Sequence, residues 1–215
     1  MTKQLKIDFV SDVSCPWCVI GLRSLESALG RLSGEIAAEI HFHPFELNPK
    51  MAPAGQNIVE HITEKYGATP AQSAQTRAMI RERAAGVGFD MRMDEQSRIY
   101  NTFDAHRLLH WAGLEGKQGE LKHALFSAYF TDGSVMSDHE TLISIAGKAG
   151  LDPARAREIL ESDTYAAEVR RRERFFQEQG IHSVPAVIVN DQYLISGGQP
   201  SEVFERALRE MSAAD

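Results

Sequence analysis

Cys15 and Cys18 are the only cysteines in 215 residues, and two residues separate them in the run Ser14-Cys15-Pro16-Trp17-Cys18. Two thiols at this spacing can close a disulfide or resolve a mixed one. An alternating apolar run, Leu5, Ile7 and Phe9, precedes them, and Leu22, Leu25, Leu29 and Leu32 follow at helical spacing. Strand followed by helix places the pair at a helix N-terminus, where unpaired N–H groups and the positive end of the helix dipole face the first thiol. A thiolate in such a place is stabilised, from about 8.5 in a free cysteine to between about 3.5 and 7.5. Cys15 is therefore expected to be the exposed nucleophile and Cys18, one turn deeper, its resolving partner. Pro16 suits the first helical turn because its missing N–H is not needed there.

Other uses of the thiols stay open. They could be buried structural groups or half of a zinc site, and His106 and His110 have the i, i+4 spacing of a metal pair. Zinc usually takes four ligands, and the histidines sit in a distant helical segment, so no metal is expected.

Bulk composition narrows the setting. The net charge is −7 and the sequence pI about 5.6, which argues against nucleic acid as the main partner. No apolar run approaches the roughly 18 residues of a membrane span. From Met1 the chain enters a strand at once, with no apolar leader, and a cytosolic location is expected. In that compartment a lone pair of cysteines is catalytic more often than structural.

The elements that must position the thiols follow in order. Residues 4–10 read as a strand and Asp12 to Ser14 as the turn that delivers Cys15. A helix runs to about Ser33, with Gly34 as its stop, and residues 36–45 form a second strand. Parallel strands need such a helical crossover. From about Asn57 to Gln179 the pattern is helical: Thr69-Pro70 opens a helix towards Val87, Asn101 caps one ending at Gly113, and Leu121 to Tyr129 mark another. Ser137 to Glu140 read as a capping box for a helix ending at Gly150. Asp152-Pro153 starts a short helix, and a long one spans Thr164 to Gln179. Strand signals return at Ala186–Val189, with Asn190-Asp191 as a hairpin turn and Gln192–Ser196 as the partner. A last helix carries Val203, Phe204, Ala207, Leu208 and Met211 on one face. The expected architecture is α/β: residues 1–56 and 180–215 form one mixed sheet with flanking helices, and residues 57–179 form an inserted helical domain.

Pro185 is the second chemical signal. It cannot donate to a ladder, so it belongs at a strand start or an edge. An X-Pro bond is also the kind that adopts cis. In that place the backbone of Val184 can pair with an extended substrate.

Ser14-Cys15-Pro16-Trp17-Cys18 with Gly21, the run from Asn101 to Leu109, and Ser183-Val184-Pro185-Ala186 together resemble the FrnE-like branch of the DsbA family, over roughly residues 5–210. The resemblance implies a thioredoxin-like fold with an inserted helical domain and thiol–disulfide oxidoreductase or isomerase activity. By position it implies Cys15 as nucleophile, Cys18 as resolving cysteine and Pro185 as a cis-proline. Pro16, Trp17, Val184, Asn101 and His106 are candidate substrate-binding residues. Asn101, at a helix cap facing the site, could bind a substrate carbonyl or glutathione. The partners expected are protein or peptide thiols and disulfides. No bound cofactor is expected, with glutathione a candidate redox partner. The chain is also similar to the kappa-class glutathione transferases and 2-hydroxychromene-2-carboxylate isomerases, which carry a single serine at the nucleophile position. A glutathione-dependent transferase or isomerase, and a non-catalytic chaperone-like or metal-binding module, therefore stand as alternatives. Exported DsbA enzymes usually have Pro-His between the cysteines. Trp17 cannot act as a cation there, so a less oxidising disulfide is expected.

Four further expectations concern surfaces. The run Arg170, Arg171, Arg172 and Arg174 reads as a solvated face. His41 and His43 alternate on an edge strand. Asp8 and Asp12 flank the cysteines, either one a candidate to take the resolving thiol's proton. Phe9, Phe42 and Phe45 with Trp17 are core residues or an apolar surface around Cys15.

Overall fold

The structure is a computed structural model that describes residues 2–214. A four-stranded sheet has the order β2-β1-β5-β6, built from β1 (Lys3–Ser11), β2 (Ile36–Pro44), β5 (Ala186–Val189) and β6 (Tyr193–Ser196). β1 pairs parallel with β2, in the register Phe9 opposite Phe42, and antiparallel with β5, Phe9 opposite Val187. The parallel pair is joined by α1 (Pro16–Arg31), whose Leu22, Leu25 and Ala28 are fully buried against the sheet. Each such leucine contributes roughly 1.5–3 kcal/mol of burial. The β5–β6 hairpin turns through Asn190 and Asp191, both at positive φ (51° and 57°), closed by Gln192 N–H to Val189 O at 3.1 Å. Asparagine and aspartate tolerate that left-handed geometry.

Between β2 and β5 the chain is mainly helical: α2 (Ile58–Tyr66), α3 (Pro70–Gly86), α4 (Phe103–Leu114), α5 (Gln118–Phe126), α6 (His139–Lys148), α7 (Pro153–Leu160) and α8 (Ala166–Glu178). β3 (Gln56–Asn57) and β4 (Arg98–Ile99) form a two-residue antiparallel pair, and α9 (Ser201–Ala214) closes the chain against α1. Two large buried clusters result, beside a small one of Val10, Phe176, Ile181 and Ala186. One joins the sheet and α1 to Ile80, Phe89, Phe126 and Phe130 of the helical segment and includes both cysteines. The other lies within α4 to α7, around Leu108, Leu121, Leu142 and Ile159, and reaches Val13 beside the cysteine turn. Among the described residues, no helix is long and apolar enough to cross a membrane.

Several helix ends differ from the sequence reading. α1 stops at Arg31, capped at Leu32, because Leu32 N–H already bonds back to Ala28 and Leu29 and the chain turns there into β2. α6 is capped by Asp138 rather than Ser137: its carboxylate accepts both the Thr141 N–H (2.8 Å) and hydroxyl (2.6 Å), while Ser137 donates to Pro53 O (2.6 Å). The cap of α4 is Thr102, with Asn101 one residue earlier. α5 runs on into one wider turn, Ser127–Thr131.

Candidate active site

The turn from β1 to α1 is organised by the fully buried carboxylate of Asp12. It accepts Ser14 N–H (3.2 Å), Ser14 Oγ–H (3.1 Å) and Leu47 N–H (2.7 Å), and His106 Nε2 lies 3.4 Å from its Oδ1. Burial opposes its charge, but His106, the Leu47 N–H and Thr102 outweigh burial and hold Asp12 below the usual carboxylate range. The turn closes with Cys15 N–H to Asp12 O at 3.2 Å. Cys15 is then the extended residue that caps α1, and Pro16 is its first helical residue. No acidic side chain or side-chain cap occupies this helix start. The unpaired amides are left for the Cys15 sulfur.

Cys15 Sγ donates to the carbonyl of Val184 at 3.7 Å, and the Val184–Pro185 peptide is cis. Two glycines allow this approach. A Cβ on Gly21 would stand 3.1 Å from Pro185 Cγ, and one on Gly198 would stand 2.9 Å from the Trp17 carbonyl. Gly197 N–H also bonds Pro185 O at 2.8 Å. α1 and the cis-proline turn therefore meet almost backbone to backbone. Cys18, one turn on, is fully buried, and burial pushes its thiol well up, with Cys15 acting in the same direction.

Cys15 is itself 4% exposed rather than open to solvent. It lies in a cavity of about 510 Å³ between the α1 start, the Val184 turn and the helical segment. Ile58, Ile62, Met93 and Tyr100 line it with Pro16, Trp17 and Val184; Lys65, Arg92 and Arg98 supply positive charge against the carboxylates of Asp94 and Asp132. The segment between the strands closes over the thiol, which sequence periodicity could not indicate.

The other candidates fall elsewhere. Asn101 is absent from the lining of this cavity; its amide donates to Pro49 O (3.3 Å) and approaches Glu46 (3.5 Å), and its oxygen accepts Phe103 N–H (3.0 Å). His106 sits behind the turn on Asp12, and His110 stacks on Tyr165. Among the described residues, no group of three or more His, Cys, Asp or Glu side chains is placed to hold a metal. The run 101–109 has a structural reason: buried Arg107 binds Asp104 (2.8 Å) and the carbonyls of Ile159, Ser162 and Thr164, tying α4 to the start of α8.

The arginine run departs from a solvated face. Arg170 pairs with Glu46 and Glu173 and stacks on Phe103, and Arg172 packs over Phe175 and Phe176, while Arg171 and Arg174 are exposed. β2 is the sheet edge, as expected for His41 and His43. The Gln118 side chain covers it, exchanging hydrogen bonds with Phe42 N–H (2.9 Å) and Phe42 O (3.0 Å). Asp8 accepts from His43 Nε2 (2.6 Å) and Lys6 (2.9 Å) and is held at about 2; burial opposes this, but the two donors prevail. Arg172 Nε donates to His43 Nδ1 (3.1 Å), which requires neutral imidazole with its proton on Nε2. Burial accordingly pushes His43 down. Of the aromatic residues, Phe9 and Phe42 are core and Trp17 lines the cysteine cavity.

Reasoning from sequence missed Gly198, whose need appears only across the fold, and Lys122 and Tyr129. Lys122 is buried and Tyr129 partly buried in the cysteine cavity, and a helical pattern reads both as amphipathic spacing.

Comparison with known proteins agrees with this geometry. Residues 6–209 match the family model described as DSBA-like thioredoxin domain. A crystal structure of a probable DsbA oxidoreductase from Streptomyces coelicolor is 34% identical, with a TM-score of 0.91 over 98% of this chain and 91% of that one. YwbO, an uncharacterized protein of Bacillus subtilis, is 27% identical over 97% of this chain and 96% of its own length. The cytosolic disulfide reductase DsbM of Pseudomonas aeruginosa, solved with GSH, shares the fold at 14% identity and a TM-score of 0.60, covering 96% of this chain and 98% of that one. Dithiol, cis-proline turn and whole-chain similarity converge, and the chain belongs to the DsbA-like thioredoxin-domain family.

Proposed function

We propose that this protein is a cytosolic thiol–disulfide oxidoreductase that works through Cys15 and Cys18 on small thiol disulfides and on single extended peptide segments. The observation that carries this reading is the Cys15 sulfur at the start of α1, 3.7 Å from the Val184 carbonyl, inside an apolar cavity with cationic side chains. In the reducing direction, Cys15 thiolate attacks one sulfur of R–S–S–R′ and R′S⁻ leaves. Cys18 then attacks the Cys15 sulfur, RS⁻ leaves, and the enzyme holds Cys15–S–S–Cys18 while the substrate has gained two electrons. Two glutathione thiols restore the dithiol by the reverse steps and leave as glutathione disulfide. The same chemistry run backwards oxidises a substrate dithiol. Val184 offers its backbone to an extended substrate. The cavity, of a size suited to small molecules, suits a thiol such as glutathione, whose carboxylates would meet Lys65, Arg92 and Arg98. The cytosolic setting is supported by the lone cysteine pair and by the DsbM likeness.

Mass spectrometry after mixing with glutathione disulfide tests the assignment. Cys18→Ser should accumulate a glutathione adduct on Cys15, and Cys15→Ser should form neither adduct nor disulfide. Turnover by Cys15→Ser would sink it. A second reading, glutathione-dependent isomerisation of a small apolar molecule, is favoured by the apolar lining alone; it requires activity that survives Cys18→Ser.

A further inference from the structure

A second cavity, of about 700 Å³, opens along the outer edge of β2 between α4, α5 and α8. Its lining shares no residue with the cysteine cavity. Lys122 of α5 belongs to it and is 1% exposed. A lysine this deep is expected to be paired. Yet its ammonium makes no hydrogen bond or ion pair among the described residues; its contacts are the faces of Phe126 (4.8 Å) and Phe42 (6.0 Å). Those two rings belong to the buried cluster that contains Cys15 and Cys18.

We infer that Lys122 is the electrostatic partner of the dithiol: supplied by the inserted helical segment, its charge stabilises the thiolate that develops on Cys18 when a mixed disulfide is resolved. The inference rests on the dithiol reading above. In that step the Cys18 S–H proton goes to solvent or to the departing thiolate. The Cys18–Cys15 S–S bond forms, the Cys15–substrate S–S bond breaks, and Lys122 contributes charge only.

The surroundings make a cation necessary. Cys18 is fully buried and its thiol is pushed well up by that burial, so an unassisted thiolate there is scarce. The Lys122 charge and the Asp12 backbone N–H work against that burial. On the dithiol side the titratable groups acting on Lys122 are Cys18, Asp12 and Cys15. Burial lowers Lys122 to about 8, and these three work against burial. Across the cavity the titratable groups are His43 and His41 of β2, with Glu39, and His106 and His110 of α4. Glu168, Arg171 and Arg172 of α8 complete the set. Cys15 thus lines one cavity, and the counter-charge lines another.

The test is stopped-flow exchange with glutathione disulfide, which separates formation of the mixed disulfide from its resolution. Lys122→Met and Lys122→Gln keep the length of the side chain and remove the charge. Resolution at pH 7 should slow about tenfold, the low end of what an opposite charge does to an acid, while mixed-disulfide formation changes less. Equal slowing of both steps, or resolution within twofold of the unaltered protein, overturns the inference. If neither variant folds, the unaltered protein answers the question by NMR. The Lys122 Nζ titration should lie higher in the dithiol form than in the disulfide form, because oxidation removes the thiolate charge that Cys15 and Cys18 can carry. Identical titrations in the two forms overturn it. A wild-type protein that forms no Cys15–Cys18 disulfide would instead defeat the dithiol reading.

Discussion

The two cysteines stand one helical turn apart and live in opposite environments. Cys15 caps α1 and faces a cavity built from α1, the Val184 turn and apolar side chains of the helical segment. Cys18 is fully enclosed, and the second cavity, along the β2 edge, carries Lys122, His106 and the β2 histidines. The difference teaches that nucleophile and resolving thiol need different supports. An attacking sulfur needs access and free amides. A resolving sulfur must stay out of reach of other disulfides, which means burial, and burial makes its thiolate costly. The sheet and α1 provide the first environment; the helical segment shapes the second.

The largest break in the contrast comes from the sulfurs themselves. Cys15→Ser should abolish thiol exchange, by at least about 10³-fold, read by reduction of a small disulfide. Cys18→Ser should keep the first step and stall on the adduct. The next largest effect is expected at the close contact that holds the Cys15 side together. Gly198→Val places side-chain atoms against the Trp17 carbonyl, which a Cβ alone approaches to 2.9 Å. It should cost about 1–3 kcal/mol of stability in urea unfolding and slow exchange by loosening the Val184 turn. Unchanged stability with unchanged rate would show that the backbone contact is not needed.

Removing the Asp12 side chain with Asp12→Ala leaves Ser14 and Leu47 donors without their acceptor, and about 2 kcal/mol is expected. Trp17→Ala, in the lining of the cysteine cavity, should raise KM for a small disulfide a few-fold and leave stability within about 1 kcal/mol. A stability loss as large as that of a core aromatic would mean that Trp17 belongs to the core.

The smallest effect is one of pH on the Lys122 side. His43 is held down by burial and Asp8 at about 2 despite burial. A depressed group favours the native state while deprotonated. Its contribution is present above its unfolded pKa, and it is lost as pH falls through the native one. Thermal stability should therefore decline below about pH 6.5 as His43 takes a proton and loses its Arg172 donor, and again between about pH 4 and 2 as Asp8 protonates. Asp8→Asn should make the lower decline in a Tm series smaller, leaving the part that Asp12 contributes; an unchanged series would break the assignment.

Much of this was legible in the chain. Alternating residues before Cys15, leucines at helical spacing after it and the β-branched run after Pro185 describe local events, because strand and helix periods act within a few residues. The Asn190-Asp191 turn and the Asp152-Pro153 and Thr69-Pro70 starts were readable for the same reason. The cap of α6 shifted by one residue because a tertiary acceptor, Pro53 O, takes the Ser137 hydroxyl and leaves the amides to Asp138; at α4 the Asn101 side chain still accepts Phe103 N–H from one residue before the cap. Asn101 and the arginine run were misplaced because their partners, Glu46 and Pro49 among them, lie far off in sequence.

By itself the sequence determined the reactive pair, its place at a strand-to-helix junction, the β-α-β and β-β-α halves and the proline that meets them. Each of these follows from residue type and short spacing. Only the tertiary structure decided that Cys15 is enclosed, that Gly21 and Gly198 let the cis-proline turn approach, and that a lysine of α5 lies buried over the Phe126 and Phe42 rings. Burial and the fields of buried charges depend on which distant segments cover a group, and no local pattern encodes that.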